Sequence, residues 1–353
     1  MINNQLSPKR IVHCANFNFI KHNGCFLHNT ANKISNGLIR NGHNVLNFPD
    51  RDIKRCYSCF GYLKQIGSSE FNHVFYDYCI KAAPDGLIFG HADTIWPETV
   101  AKIKKALPEV KILQWNVDCI DRNFVSNNIK NIKSKSDVVD YTLITTADKD
   151  LLSQFNSSTV FYMPNIVDAS IETGKAFDIR HPRYDLVFTA RKKSVREFCG
   201  KQYPAIDVVN KISQNIDISK SIFPGTLHSP ICGGEYQNII SNSAMGLCLS
   251  QVSHNYLYSS DRMAHLMGNG VLIFLDRRTG FDKYFTDDEI IFYTKEDELY
   301  EKIMFYSQNI DERMRIAKNG YMKYHNMFNE KIVSRHIIDL MFSEDGIKKY
   351  PWL

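Results

Sequence analysis

Residues 10–48 read RIVHCANFNFIKHNGCFLHNTANKISNGLIRNGHNVLNF, and the spacing of their apolar residues changes character twice. Arg10 to Asn16 reads as a strand, Asn23-Gly24 breaks it, and His28 to Arg40 places its apolar residues at helical spacing. Asn41-Gly42 stops that helix, and Val45 to Phe48 supplies the next strand. Strand, loop, helix and strand in this order imply parallel strands joined by a right-handed crossover.

Working outward, the alternation continues. Gly86 to Phe89 reads as a strand, Pro97 to Ala106 as a helix, and Lys111 to Trp115 and Tyr141 to Thr145 as further strands. A second round begins with a strand over Asp185 to Thr189 and a helix over Ile206 to Ile212. It goes on through a strand at Ala244 to Leu249, a helix at Arg262 to Met267 and a strand at Val271 to Leu275. Helical spacing over Glu296–Phe305, Asp311–His325 and Lys331–Phe342 closes the chain with three helices. The expected class is therefore α/β, with two similar halves facing across a cleft. At 353 residues the chain exceeds one ordinary core. We place the first half at 1–168 and the second at 183–326, with 327–353 as a C-terminal helix packing back on the first.

Composition narrows the function classes. The chain is 44% hydrophobic and 23% charged, an ordinary folded composition. A net charge of +5 with scattered basic residues does not call for nucleic acid. The small excess, 19 Lys and Arg against 15 Asp and Glu, lies in residues 1–168, which suits an anionic acceptor or a membrane surface. No stretch is apolar enough to span a bilayer and Met1 to Ser7 is too polar to open a signal peptide, so a cytoplasmic protein, peripheral at most to the membrane, is expected. Nine cysteines over so long a chain read as small core residues in a reducing compartment, not as a disulfide framework. Cys56 and Cys59 form a C-x-x-C without a second pair at zinc-site spacing.

Open parallel sheets bind ligands at the carboxyl ends of their strands, so the loops there hold the candidate residues. His91 follows one first-half strand, and Asp118 follows another in Gln114-Trp115-Asn116-Val117-Asp118. Either could deprotonate a hydroxyl, and either could be a plain loop or capping residue. Arg191, Lys192 and Lys193 follow the first strand of the second half and could neutralise a phosphate or form a solvated turn. Gly225 marks another strand end or an ordinary turn. In Tyr258-Ser259-Ser260-Asp261-Arg262, a serine can cap a helix whose first amides form an anion site, with Arg262 adding a forked donor. The bland alternative is a capped helix with an exposed Arg.

The segment from Gly233 to Phe342 resembles the second half of group-1-type GT-B glycosyltransferases, specifically those similar to the CgeB spore-maturation proteins. The matching residues are Gly234-Glu235-Tyr236, the strand 244–249, the Arg-containing helix before Gly268-Asn269-Gly270, and Phe281 to Phe285. They continue through Asp287 to Tyr293, Glu296-Asp297-Glu298-Leu299, Asp311-Glu312-Arg313 and Ile316-Ala317-Lys318-Asn319-Gly320. More loosely, Gly37 to His43 and Pro84 to His91 resemble the family's first helix and a strand ending in an active-site histidine. The resemblance implies two Rossmann-like domains and a sugar moved from a nucleotide-sugar donor to a glycan or lipid-linked acceptor in surface polysaccharide synthesis. It implies no cofactor and no essential metal; Asp118 and Asp121 lack the D-x-D spacing of the other major glycosyltransferase fold.

By the same resemblance the donor meets Arg191, Lys192, Lys193, Gly225, Tyr236, Ser259, Ser260, Asp261, Arg262 and His265. The acceptor meets Asn23, Gly24, His28 and Asn29, of which the last two could equally cap the first helix. The family's glutamate five residues before the glycine is Met263 here, with Asp261 or His265 as substitutes. Two other readings stay open: an epimerase or hydrolase on the same architecture and, motivated by that departure, a non-catalytic sugar-nucleotide or glycan-binding protein.

Overall fold

The β-branched and aromatic runs of the first half form six strands in a computed structural model of the chain, which describes residues 7–20, 25–57, 67–121, 126–155, 159–217, 219–343 and 350–352. They are β1 (Arg10–Ala15), β2 (Asn44–Pro49), β3 (Gly86–Gly90), β4 (Lys111–Asn116), β5 (Tyr141–Ile144) and β6 (Val160–Tyr162). All pair in parallel, in the order β2-β1-β3-β4-β5-β6. Helices α1 (Thr30–Arg40), α2 (Asp50–Cys56), α3 (Ser68–Ala82), α4 (Pro97–Ala106), α5 (Ser126–Ser136) and α6 (Lys149–Leu152) connect them. Because β2 and β3 lie on opposite sides of β1, the loops after β1 and β3 diverge and leave a crevice between them.

The second half repeats the plan with five parallel strands. They are β7 (Tyr184–Val187), β10 (Ser221–Ile222), β11 (Ser243–Cys248), β12 (Leu272–Asp276) and β13 (Ile291–Tyr293), in the order β10-β7-β11-β12-β13. Its crevice opens between β7 and β11. An antiparallel hairpin, β8 (Val195–Phe198) with β9 (Lys201–Pro204), stands in the loop after β7. The sequence reading misses this hairpin because its strands are short and half exposed. Helices α7 (Ala205–Asn215), α8 (Gly233–Ser241), α9 (Arg262–Gly268), α10 (Glu296–Gln308) and α11 (Ile310–Met327) complete this half.

The last helix, α12 (Glu330–Phe342), lies against α1 of the first half. Gly37 permits the approach: a Cβ there would sit 2.0 Å from the Glu330 carbonyl oxygen. Ser334 Oγ donates to the Ile34 carbonyl, and Arg40 reaches both Asp168 and Glu330. One apolar cluster runs from β1 and α1 through the connecting segment into α9, α11 and α12, so the halves share a core. Among the described residues no helix is long and apolar enough to cross a membrane.

The cysteines correct the sequence reading. Cys14, Cys79, Cys119 and Cys248 are buried, but Cys25 and Cys232, 207 residues apart, are joined by a disulfide between the halves. Separation along the chain hides such a pair, since only the packing of the halves brings it together. Of the C-x-x-C, Cys56 ends α2 and is exposed, and Cys59 lies outside the described residues.

Candidate functional site

The site is built outward from Gly90, the last residue of β3. A Cβ on Gly90 would stand 2.0 Å from the Trp115 ring, so only glycine lets the indole from β4 cross the strand end. Trp115 is fixed by donating its Nε1–H to His13 Nε2 at 3.2 Å, and its edge meets the ring of His91. His91 holds a left-handed backbone, φ 47°, which a non-glycine residue keeps only when its surroundings impose it.

His91 and Asp118 come together here. His91 Nδ1 lies 3.5 Å from Asp118 Oδ2, while its Nε2 accepts from the Val117 amide at 3.4 Å. Burial lowers the His91 pKa against the opposing pull of Asp118, so the ring stays neutral at neutral pH. Nδ1 also meets the Asn116 side-chain amide Nδ2 at 3.4 Å, so this nitrogen faces both that amide and the carboxylate. The Asp118 side chain is 54% exposed against 21% for His91, which makes the carboxylate the group a ligand can reach. Its backbone amide donates to Asn116 Oδ1 at 2.8 Å, which fixes the turn.

Asp118 lines three adjoining cavities. One runs beneath His91 toward Arg51 and Lys135; a second, of about 310 Å³, extends past Asn16, Phe26 and Asn29; a third reaches the second half at Arg196, Ser250 and Ser260. Asp261 lines the second and third together with Asp118, so the two crevices open onto each other. Arg51 is tied to Asp93 by Nε and Nη2 at 3.1 and 3.0 Å. Arg196, carried in by the hairpin after β7, donates Nη1 to its neighbouring Val195 carbonyl, and its buried Nε has no acceptor among the described residues. Burial and the Arg262 charge pull its pKa down to about 10, so it remains a cation. Neither Arg51 nor Arg196 is marked in the sequence, because each is a single basic residue whose place depends on a loop crossing the fold.

Several donor candidates are occupied elsewhere. Arg262 is buried: Nε and Nη2 donate to the Thr189 carbonyl, Nη1 donates to the Leu249 carbonyl and Ser260 Oγ, and the guanidinium lies over the Phe188 ring. It is not a free phosphate fork but the tie that holds the loops after β7 and β11. No serine caps α9; Asp261 holds the cap position without a side-chain bond. Ser259 is buried and accepts from Asn165 Nδ2, while Ser260 and Asp261 reach the cavities. Tyr236 and His265 are buried and bonded to each other at 2.9 Å. Met263 lies in the core, so the position where related enzymes place a glutamate does not face the cleft, whereas Asp261 does.

The cationic run 191–193 is exposed beyond the end of β7. Gly225, φ 79°, packs against it, since a Cβ there would meet the Ala190 carbonyl oxygen at 2.4 Å. On the acceptor side, Asn29 caps α1 by accepting from the Asn32 amide and also lines the cleft. His28 does not face the cavity: it stacks on Tyr236 at 4.6 Å and meets His265 edge-on, in the seam between the halves. Asn23 and Gly24 lie outside the described residues. Asp121 is buried and turned to His254 of the second half, 3.2 Å away, so it does not share a ligand position with Asp118.

Residues 200–338 match the family described as glycosyl transferase-like. Among solved structures the chain is similar to sucrose-phosphate synthase from Thermosynechococcus elongatus, with TM-score 0.59 at 9% identity over 94% of this chain and 98% of that one. It is similar to Anabaena HepE in complex with UDP and glucose, with TM-score 0.58 at 9% identity and the same coverage. A proposed UDP-N-acetylglucosamine 2-epimerase from Listeria monocytogenes gives TM-score 0.56 at 10% identity over 98% and 99%. No curated protein matches by sequence. Likeness at these identities establishes the fold, which is GT-B.

Proposed function

We propose that this chain is a glycosyltransferase, moving a sugar from a nucleotide-sugar donor on its second half to a hydroxyl of a glycan or lipid-linked acceptor on its first. The observation that carries this reading is the exposed Asp118 carboxylate, backed by a neutral His91 and facing Arg196, Ser260 and Asp261 across joined cavities. Asp118 takes the proton of the acceptor hydroxyl as that oxygen bonds to the anomeric carbon. The bond from that carbon to the donor phosphate breaks, and the departing negative charge falls to Arg196 and the run 191–193. Asp261 is the carboxylate placed to meet the donor's ribose or sugar. Because these cations can take the leaving-group charge, transfer needs no metal.

HepE structures hold UDP and UDP-glucose, which makes UDP-glucose the first donor to test. A surface glycan made at the inner face of a membrane is the acceptor class that suits the mild basic excess of residues 1–168. The experiment is product analysis with a panel of nucleotide sugars and glycan acceptors, with and without EDTA. Glycoside formed only when acceptor is present, and undiminished by EDTA, supports the proposal. Free sugar or an epimerised nucleotide sugar as sole product replaces transfer with hydrolysis or epimerisation. Turnover that stops with EDTA and returns with a divalent ion overturns metal independence.

A further inference from the structure

Cys25 immediately precedes the segment whose Phe26, Asn29, Thr30 and Ala31 form one wall of the cleft. Cys232 is the residue before α8 in the second half. Their Cα atoms are 4.7 Å apart and their sulfurs are bonded, with the Gly233 amide donating to the Cys25 carbonyl beside them. Cys232 is exposed and Cys25 half-buried, so small thiols can reach the bond. Beside it the two halves also meet through that backbone hydrogen bond, the stack of His28 on Tyr236 and the edge contact of His28 with His265. Breaking the bond removes a covalent tie between this wall and the second half.

We propose that the Cys25–Cys232 bond is a reversible redox latch across the cleft, opened by a dithiol and closed by a disulfide oxidant, that sets how readily ligands pass in and out. That the ligands are a nucleotide sugar and its nucleotide rests on the glycosyltransferase reading. Opening begins when a dithiol's thiolate attacks Cys25 Sγ and displaces Cys232 as a thiolate. The amides at the start of α8 favour that negative charge, which makes Cys232 the better leaving group. The dithiol's second thiolate then attacks the mixed disulfide and frees Cys25. The reagent leaves as a cyclic disulfide, its two protons end on the two protein thiols, and two electrons pass to the protein. Closure is the reverse, with Cys232 the attacking thiolate and the oxidant reduced to a dithiol. With the bond intact, the wall at 26–31 cannot swing away from α8; with it broken, the cleft can widen.

The test uses the full chain equilibrated with either oxidised or reduced dithiothreitol. Alkylation after denaturation should modify two fewer cysteines in the oxidised form, with a linked peptide joining residues 25 and 232. Hydrogen exchange over 26–41 and 233–241 should speed up on reduction, and UDP should dissociate about fivefold or more faster, since cleft opening commonly limits product release. Cys25→Ser and Cys232→Ser should each behave as the reduced protein and ignore dithiothreitol. Equal alkylation in both forms, or exchange over both segments unmoved by reduction, overturns the latch. A chain that binds no UDP fails the glycosyltransferase reading instead, and the alkylation and exchange results still decide the latch.

Discussion

Asp118 and Asp121 stand one helical turn apart in sequence yet serve different neighbours, one open to the cleft and one buried against His254. Asp118→Asn keeps shape and hydrogen-bonding reach but cannot take a proton, so turnover should fall about 10²–10⁴-fold with donor affinity unchanged. His91→Ala should cost less, because the ring positions the carboxylate and does not itself reach the acceptor. Measured turnover near wild type in both variants would remove this pair from the chemistry. The two arginines separate in the opposite way. Arg262→Ala strips donors from the buried Leu249 carbonyl and the half-buried Thr189 carbonyl and should cost about 3 kcal/mol or more of stability. Arg196→Ala should leave the fold intact and weaken UDP-glucose binding by about 1.5–3 kcal/mol, the worth of one charge-assisted contact. Denaturant midpoints and calorimetry on both proteins check this; a stable Arg262 variant with lost binding would restore Arg262 to the donor site.

At the scale of elements, the contact of α1 with α12 depends on one missing side chain. Gly37→Ala gains about 1 kcal/mol of helix propensity. Its new Cβ, however, falls 2.0 Å from a backbone oxygen of α12, which cannot rotate away as a side chain could. Overpacking of that kind costs about 1–3 kcal/mol, so we expect a net loss of stability, with α12 losing hydrogen-exchange protection first. A variant as stable as wild type would mean that the two helices separate at little cost. The elements legible in sequence are those with strong periodicity and clear stops, such as α4 at Pro97–Ala106 and the strands β3 and β12. Missed were α2, α3, α5, α6 and α8, the short strands β6, β10 and β13, and the β8–β9 hairpin, where mixed polarity or short length gives no clear period. The hairpin is the costliest of these, since it brings Arg196 to the cleft.

Across the whole molecule, burial lowers the pKa of seven of the described histidines, His43, His91 and His325 among them. The pKa of His13 is lowered to about 3, those of His28 and His336 to about 4, and that of His265 well below its ordinary value. Unfolded, each titrates near 6.5, so the unfolded chain binds more protons below that pH, and stability present above 6.5 is lost as pH falls toward 4. Asp50, raised by burial to about 6, and Glu172, raised by burial against the pull of Lys33, act in the opposite direction. His254 lies between Glu197 and Asp121, 2.9 and 3.2 Å away, and can donate to both only when protonated. Its pKa is raised, chiefly by Glu197 and Asp121 against burial, so that its contribution is present below 6.5 and fades as pH rises through the folded value. Urea midpoints should therefore fall steeply from pH 6.5 to 4.5; a flat profile would mean that these rings accept protons without unfolding. The order of strands and helices, and with it two parallel sheets, was determined by the sequence alone, because period and turn residues act within a few positions. The GT-B resemblance was legible there too, through loops at strand ends. Which side chains meet in the cleft was decided only by tertiary structure. Arg262 became a buried tie, Arg196 and Asp118 converged from different halves, and Cys25 met Cys232, because contacts between distant segments depend on how the two sheets pack and not on any local pattern.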